Sequence, residues 1–194
     1  MFNFYPSLIA ISLIFIFLLN ACGGNENKKS VIVEEDKSIV LSSNGVGPLN
    51  ATSSFNMHQM TLAFSDYNVV EEVAYQAGVP YPVIRVSEGI KTILIINPDS
   101  SHQNIFSVII EDNIVKNSLG HYLGTPYSQV YSYGQTEECQ MGTQDMAGKA
   151  LCYAPKTPNI LYVFNDKTNS IHNELPPKDV LQNWALESII WRPK

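Results

Sequence analysis

The side chains of this 194-residue chain that could ligate a metal, attack an electrophile or move a proton are four histidines, three cysteines and a few adjacent acid pairs. His58, His102, His121 and His172 fall in different segments, none with a carboxylate or cysteine at ligand spacing. A metal needs three or four ligands converging on one point, so no metal site is expected. The pairs Glu34-Glu35, Glu71-Glu72, Glu111-Asp112 and Glu137-Glu138 bring two carboxylates close in sequence, as glycosidases require in space. Neighbours on a strand point to opposite faces, however, and such pairs read as solvated edges. Gly142 to Lys149 (GTQDMAGK) has five residues between its glycines where a phosphate loop has four, and Ala150 stands where Ser or Thr would hold magnesium. Gly45-Val46-Gly47-Pro48-Leu49-Asn50 fails the dinucleotide pattern at its third glycine. With no GxSxG elbow and no SxxK, no catalytic residue is assigned.

Aromatic residues offer binding instead of chemistry. Tyr122, Tyr127, Tyr131 and Tyr133 cluster closely enough to floor a groove for a ligand or peptide, or to pack a helix against a sheet. The net charge of −6, with Lys and Arg scattered, supplies no counter-charge for phosphates, so nucleic acid is excluded as a partner.

The elements that must position these residues begin after an apolar leader. Leu8 to Leu19 (LIAISLIFIFLL) is too short to span a bilayer as a helix, which takes roughly twenty residues. It ends in Leu19-Asn20-Ala21-Cys22, which resembles the lipobox of bacterial lipoproteins. That resemblance implies a signal peptide over residues 1–21, lipid on Cys22, and membrane attachment through two or more acyl chains, enough to hold a protein stably. Residues 22–38 then read as a polar leash. Gly23 stands where the resemblance would place Asp for inner-membrane retention, which implies the periplasmic face of the outer membrane. In an exported chain Cys139 and Cys152 are expected to form a disulfide, with free thiols or a metal as the other readings.

Residues 39–194 read as one globular domain. Its strand signals are Val83 to Val86, Thr92 to Ile96, Phe106 to Ile110, Ile160 to Phe164 and Ser188 to Trp191, most of them apolar on both faces. Short helices are expected at Ser54 to Phe64, capped by Thr52 or Ser53, after Thr125-Pro126, and at Lys178 to Trp184 with Val180, Leu181 and Trp184 inward. The order recurs: TILIIN (Thr92 to Asn97) answers ILYVFN (Ile160 to Asn165), and SVIIE (Ser107 to Glu111) answers SIIWR (Ser188 to Arg192). This reads as a duplicated unit over 45–115 and 118–192. The expected fold is mainly β (α+β): two packed antiparallel sheets, sandwich-like, with two or three short helices. Trp184, Ile189, Ile190 and Trp191 place the C-terminus in the core.

Gly45-Val46-Gly47, LGTPYSQVYS (Leu123 to Ser132), the Cys139 and Cys152 pair, and VLQNWALESIIWRP (Val180 to Pro193) together resemble the YfeY-like, RpoE-regulated lipoproteins of Gram-negative bacteria, a family of unknown molecular function. The resemblance covers about residues 40–193. It implies a sandwich-like β fold on an outer-membrane lipoprotein under envelope-stress control, and it carries over no catalytic residue or cofactor. The function expected is that of a non-enzymatic module contacting an envelope protein or a glycan or lipid fragment. An accessory of outer-membrane protein assembly is the alternative, and an envelope hydrolase a more distant one.

Overall fold

The computed structural model describes residues 38–131, 138–166 and 174–194. Cys22, Tyr133 and His172 lie outside them, as do the leader and the leash up to residue 37. The described chain is mostly β: two packed sheets and three short helices, a sandwich-like arrangement.

The smaller sheet has the order β3-β2-β1-β8, from β1 (Val40–Ser42), β2 (Gly45–Val46), β3 (Leu49–Asn50) and β8 (Lys116–Asn117). Its β1–β8 pair is parallel, the one departure from antiparallel order among the described strands. Gly45 is required in it: a Cβ there would stand 1.8 Å from the Leu49 carbonyl oxygen, closer than any side chain can sit.

The larger sheet comprises β4 (Asn68–Gln76), β5 (Val79–Glu88), β6 (Lys91–Pro98), β7 (Ile105–Ile110), β9 (Cys139–Met141), β10 (Ala150–Ala154), β11 (Thr157–Asn165) and β12 (Ala185–Trp191). It is antiparallel throughout, in the order β4-β5-β6-β7-β12-β11-β10-β9. Counting outward from the central β7–β12 pair, the strands are β6, β5, β4 on one side and β11, β10, β9 on the other. SVIIE and SIIWR thus form the central pair, and TILIIN and ILYVFN flank it symmetrically.

Alternation along the strands divides this sheet into two faces. Ile84, Val86, Leu94, Ile96, Val108 and Ile110 turn inward on one half, and Tyr162, Phe164, Ile189 and Trp191 on the other. They meet Leu41, Val46 and Leu49 of the small sheet and Met60 and Phe64 beside the first helix, so the core closes within the described residues. Ser43 ties the layers together: its carbonyl accepts hydrogen bonds from the Asn159 amide at 2.7 Å and the Trp191 indole at 3.3 Å. The runs are largely apolar on both faces because the opposite face carries a second cluster, Leu161, Val163 and Ile190, backed by Ile109, Met146 and Leu151.

The helices are shorter than the sequence suggests. α1 is Met57–Ala63, and its cap is Asn56, whose side-chain oxygen accepts from the Gln59 amide at 3.0 Å, not Thr52 or Ser53. Ser54 is held in a bridge to Asn104, which delays the helix start. α2 is a single turn, Tyr127–Val130, capped by Pro126 in extended conformation. The Thr125 hydroxyl accepts from the Tyr122 amide at 3.1 Å and caps nothing. α3 is Lys178–Leu181; Leu181 and Trp184 are buried as expected, but Val180 is 41% exposed and faces away from the core.

Candidate functional site

Of the four tyrosines read as a candidate binding floor, Tyr127 and Tyr131 are core residues and present no surface. Their rings stack against each other at 4.7 Å, and Tyr127 meets Phe164 edge-on at 5.3 Å. The Tyr131 hydroxyl donates to the Tyr153 carbonyl at 2.6 Å, and burial holds its pKa well above the ordinary phenol range. Tyr122 alone among the described members is exposed. These rings fasten α2 to the sheet, the packing role that their helical spacing equally allowed.

The three described histidines fall on separate elements. His58 lies exposed on α1 and His102 on a surface turn. His121 is half-buried, its Nδ1 2.9 Å from the Tyr162 hydroxyl, which in turn accepts from the Asn117 amide at 2.9 Å. Burial depresses the His121 pKa and raises that of Tyr162 to about 12. Among the described residues no three His, Cys, Asp or Glu side chains gather as a metal-ligand set.

Glu34, Glu35 and Glu137 lie outside the described residues. In the other two acid pairs, Glu72 pairs with Arg85, and Asp112 pairs with Lys91 at 2.8 Å. Glu111, close to the Lys149–Glu187 pair, has its pKa raised first by burial. Cys139 and Cys152 face each other across β9 and β10 and are joined by a disulfide. Their Cα atoms are 4.1 Å apart, just below the usual lower limit of about 4.4 Å, because the two residues are direct cross-strand partners.

A groove of about 700 Å³ lies where the sequence offered no candidate, on the face of the large sheet turned away from the small one. Two hollows elsewhere, about 390 Å³ beside Phe64 and 360 Å³ beside His121, are much smaller. The strand registers arrange this face of the sheet in rows, of which Ile109, Ile190 and Leu151 line the groove. Ile95, Ile109, Ile190 and Leu161 stand opposite one another across β6, β7, β12 and β11. Ser188, Val163 and Leu151 make the next row on one side. On the other side Asn97 faces Ser107, its amide donating to the serine hydroxyl at 3.2 Å, and Arg192 follows one step beyond the Trp191–Val108 pair.

The sheet's own edges supply the walls. β4 and β9 are the two outermost strands, yet the Gln76 amide, at the end of β4, donates to the Gln144 side-chain oxygen just past β9 at 3.3 Å. A sheet whose opposite edges touch is strongly curled, and the groove is the inside of that curl. One wall is the tip of the β4–β5 hairpin, with Val79 and Tyr81; the other is the 3-10 turn Gln144–Met146. The turn comes from the GTQDMAGK stretch. Gly142 is required because a Cβ there would stand 2.1 Å from the Met146 carbonyl oxygen, and its amide donates to the Lys149 carbonyl at 2.8 Å.

At the rim, Asp99 is a turn-former. Hydrogen bonds from the Asn104 and Ser101 side chains, reinforced by backbone amides, hold its carboxyl far below the usual carboxylate range. The Arg192 guanidinium lies 5.2 Å over the Phe106 ring.

Residues 33–193 match the family described as "Protein of unknown function (DUF1131)". The chain belongs to that family. It is similar to the uncharacterized protein YfeY of Escherichia coli (strain K12), with 27% identity over 155 residues, 78% of each chain. It is also similar to the crystal structure of the uncharacterized protein yfeY from Escherichia coli, with a TM-score of 0.64 and 25% identity over 80% of this chain and 99% of that one.

Proposed function

We propose that this chain is a non-enzymatic binding module of the Gram-negative envelope, a lipoprotein held by Cys22 on the periplasmic face of the outer membrane and produced under envelope stress. The observation that carries the binding role is the groove: a preformed concavity with an apolar floor and a polar row at one end, the general form of a small-ligand site. Of its ionisable lining, Asp99 is occupied by its own turn, Arg192 lies on a ring, and His102 and Asp145 are exposed at the surface, a lining that supports binding over catalysis. The lipobox-like Leu19-Asn20-Ala21-Cys22 supports the anchor, which would raise the local concentration of the domain at the membrane.

A second reading, an accessory of outer-membrane protein assembly, is favoured by one feature. β4 is an edge strand of nine residues, with Val73 63% and Tyr75 64% exposed, and such an edge can accept a strand from another chain.

In-cell photocrosslinking separates the two. A photoreactive side chain at Phe106, beside the groove, is expected to capture a discrete envelope component from the lipidated protein, while one at Tyr122, which does not line the groove, captures none. Capture of outer-membrane proteins through Tyr75 alone would replace the binding-module reading with the assembly one.

A further inference from the structure

The groove floor belongs to interior strands. β7, β12, β11 and β10 are each paired on both sides, so their backbone donors and acceptors are spent in the ladder. An extended peptide laid on this floor would leave its own amides and carbonyls unpaired, at a cost comparable to a lost hydrogen bond for each buried group. A sugar is no better served: the floor is aliphatic, with Ile109, Ile190 and Leu151, and one face of the nearby Phe106 ring is covered by Arg192. Hydrocarbon is the chemistry that such a floor accepts without loss.

The polar row decides the rest of the ligand. Asn97, Ser107 and Arg192 follow one another across β6, β7 and β12, one row from the aliphatic floor. Among the described residues no carboxylate forms an ion pair with Arg192, whereas Arg85, Lys91 and Lys149 each have one. The Asp99 carboxylate on the same rim is taken up by the donors of its own turn. A guanidinium presents a planar fork of donors that matches a carboxylate, and Asn97 and Ser107 stand beside it.

From this juxtaposition we infer that the groove binds a long-chain fatty acid, its tail along Ile109, Ile190 and Leu151 and its carboxylate at Arg192. The inference rests on reading the groove as the binding site, and it names the ligand class. The Gln76–Gln144 contact joins the two walls on either side of the groove.

The test uses residues 22–194 with Cys22→Ser, since the core closes within the described residues. The probe is a fluorescent dansylamino-undecanoate, competed by palmitate, by the alcohol of the same chain length and by a lysophospholipid. The expected result is that palmitate displaces the probe about tenfold or more better than the alcohol does, the worth of one charge-assisted hydrogen bond. In Arg192→Gln that advantage disappears while alcohol binding is unchanged; Arg192 is exposed, and its loss disturbs no core contact. Leu151→Trp, which fills the floor, abolishes displacement by both. Met146→Trp, on the turn, serves if Leu151→Trp does not fold. Equal binding of acid and alcohol, an unaffected Arg192→Gln, or tighter binding of the lysophospholipid would overturn the fatty acid as ligand. A domain that binds no chain amphiphile but is crosslinked at Phe106 to another envelope component would sink this inference alone. Silence in both assays would sink the groove reading as well.

Discussion

Removing Leu186 to Lys194 leaves a chain that does not unfold cooperatively. The segment carries most of β12, which sits at the centre of the eight-stranded sheet between β7 and β11. Its loss exposes the ladder groups of both neighbours and takes Leu186, Ile189 and Trp191, each 2% exposed or less, out of the core. Side chains of this kind each cost about 2–5 kcal/mol when truncated to Ala. Three of them together with an unpaired ladder outweigh a total stability of about 5–15 kcal/mol. Urea unfolding followed by tryptophan fluorescence, with Trp184 as the remaining reporter, should show a broad slope in place of a transition. The milder Trp191→Ala removes the ring and its bond to the Ser43 carbonyl, and should lower stability by about 3–5 kcal/mol. A truncated domain with a sharp midpoint near that of the intact chain would contradict the central placement of β12.

The second large effect is expected at the disulfide. β9 is a three-residue edge strand, held by its pairing to β10 and by the Cys139–Cys152 bond. A crosslink closing a loop of this size is worth about 3 kcal/mol in the chain-entropy model. The Cys139→Ala, Cys152→Ala double variant should therefore unfold at lower urea by about 2–4 kcal/mol. Its protection against hydrogen exchange should fall first at β9 and the Gln144–Met146 turn, since that wall of the groove continues directly from β9. Equal stability of the variant and the oxidised wild type would show that the bond adds nothing to the fold.

These two elements also show what could be read without coordinates. β5, β6, β7, β11 and β12 announce themselves because a strand with apolar neighbours on both faces is apolar at most positions. β4, as NVVEEVAYQ, and β9, as CQM, could not be read that way: they are edges, half solvated, and their patterns are diluted by polar residues. The C-terminal motif was legible for the same reason as the central strands, since Ile189, Ile190 and Trp191 serve both faces at once. The groove was hidden by that very property. Ile109, Leu161, Val163 and Ile190 read as half of a doubly buried run, and no sequence pattern distinguishes a face covered by a second layer from one left as the inside of a curl. The tyrosines read both as a binding floor and as packing for a helix, and Tyr127 and Tyr131 take the packing role. GTQDMAGK lacks phosphate-loop spacing, yet its Gly142 was a usable signal: a glycine bracketing a turn marks a place where chain passes close to chain.

The claim on which the functional account depends is that the curled outer face of the large sheet is where this protein meets its ligand. Methyl-labelled residues 22–194 carrying Cys22→Ser, titrated with fractions of a Gram-negative envelope extract, test it directly. The account predicts that an active fraction shifts the methyl resonances of Ile109, Met146, Leu151 and Ile190 while those of Leu62 on α1 and Val40 on the small sheet stay in place. Shifts confined to Leu62 and Val40, with the four groove methyls unmoved, would contradict it.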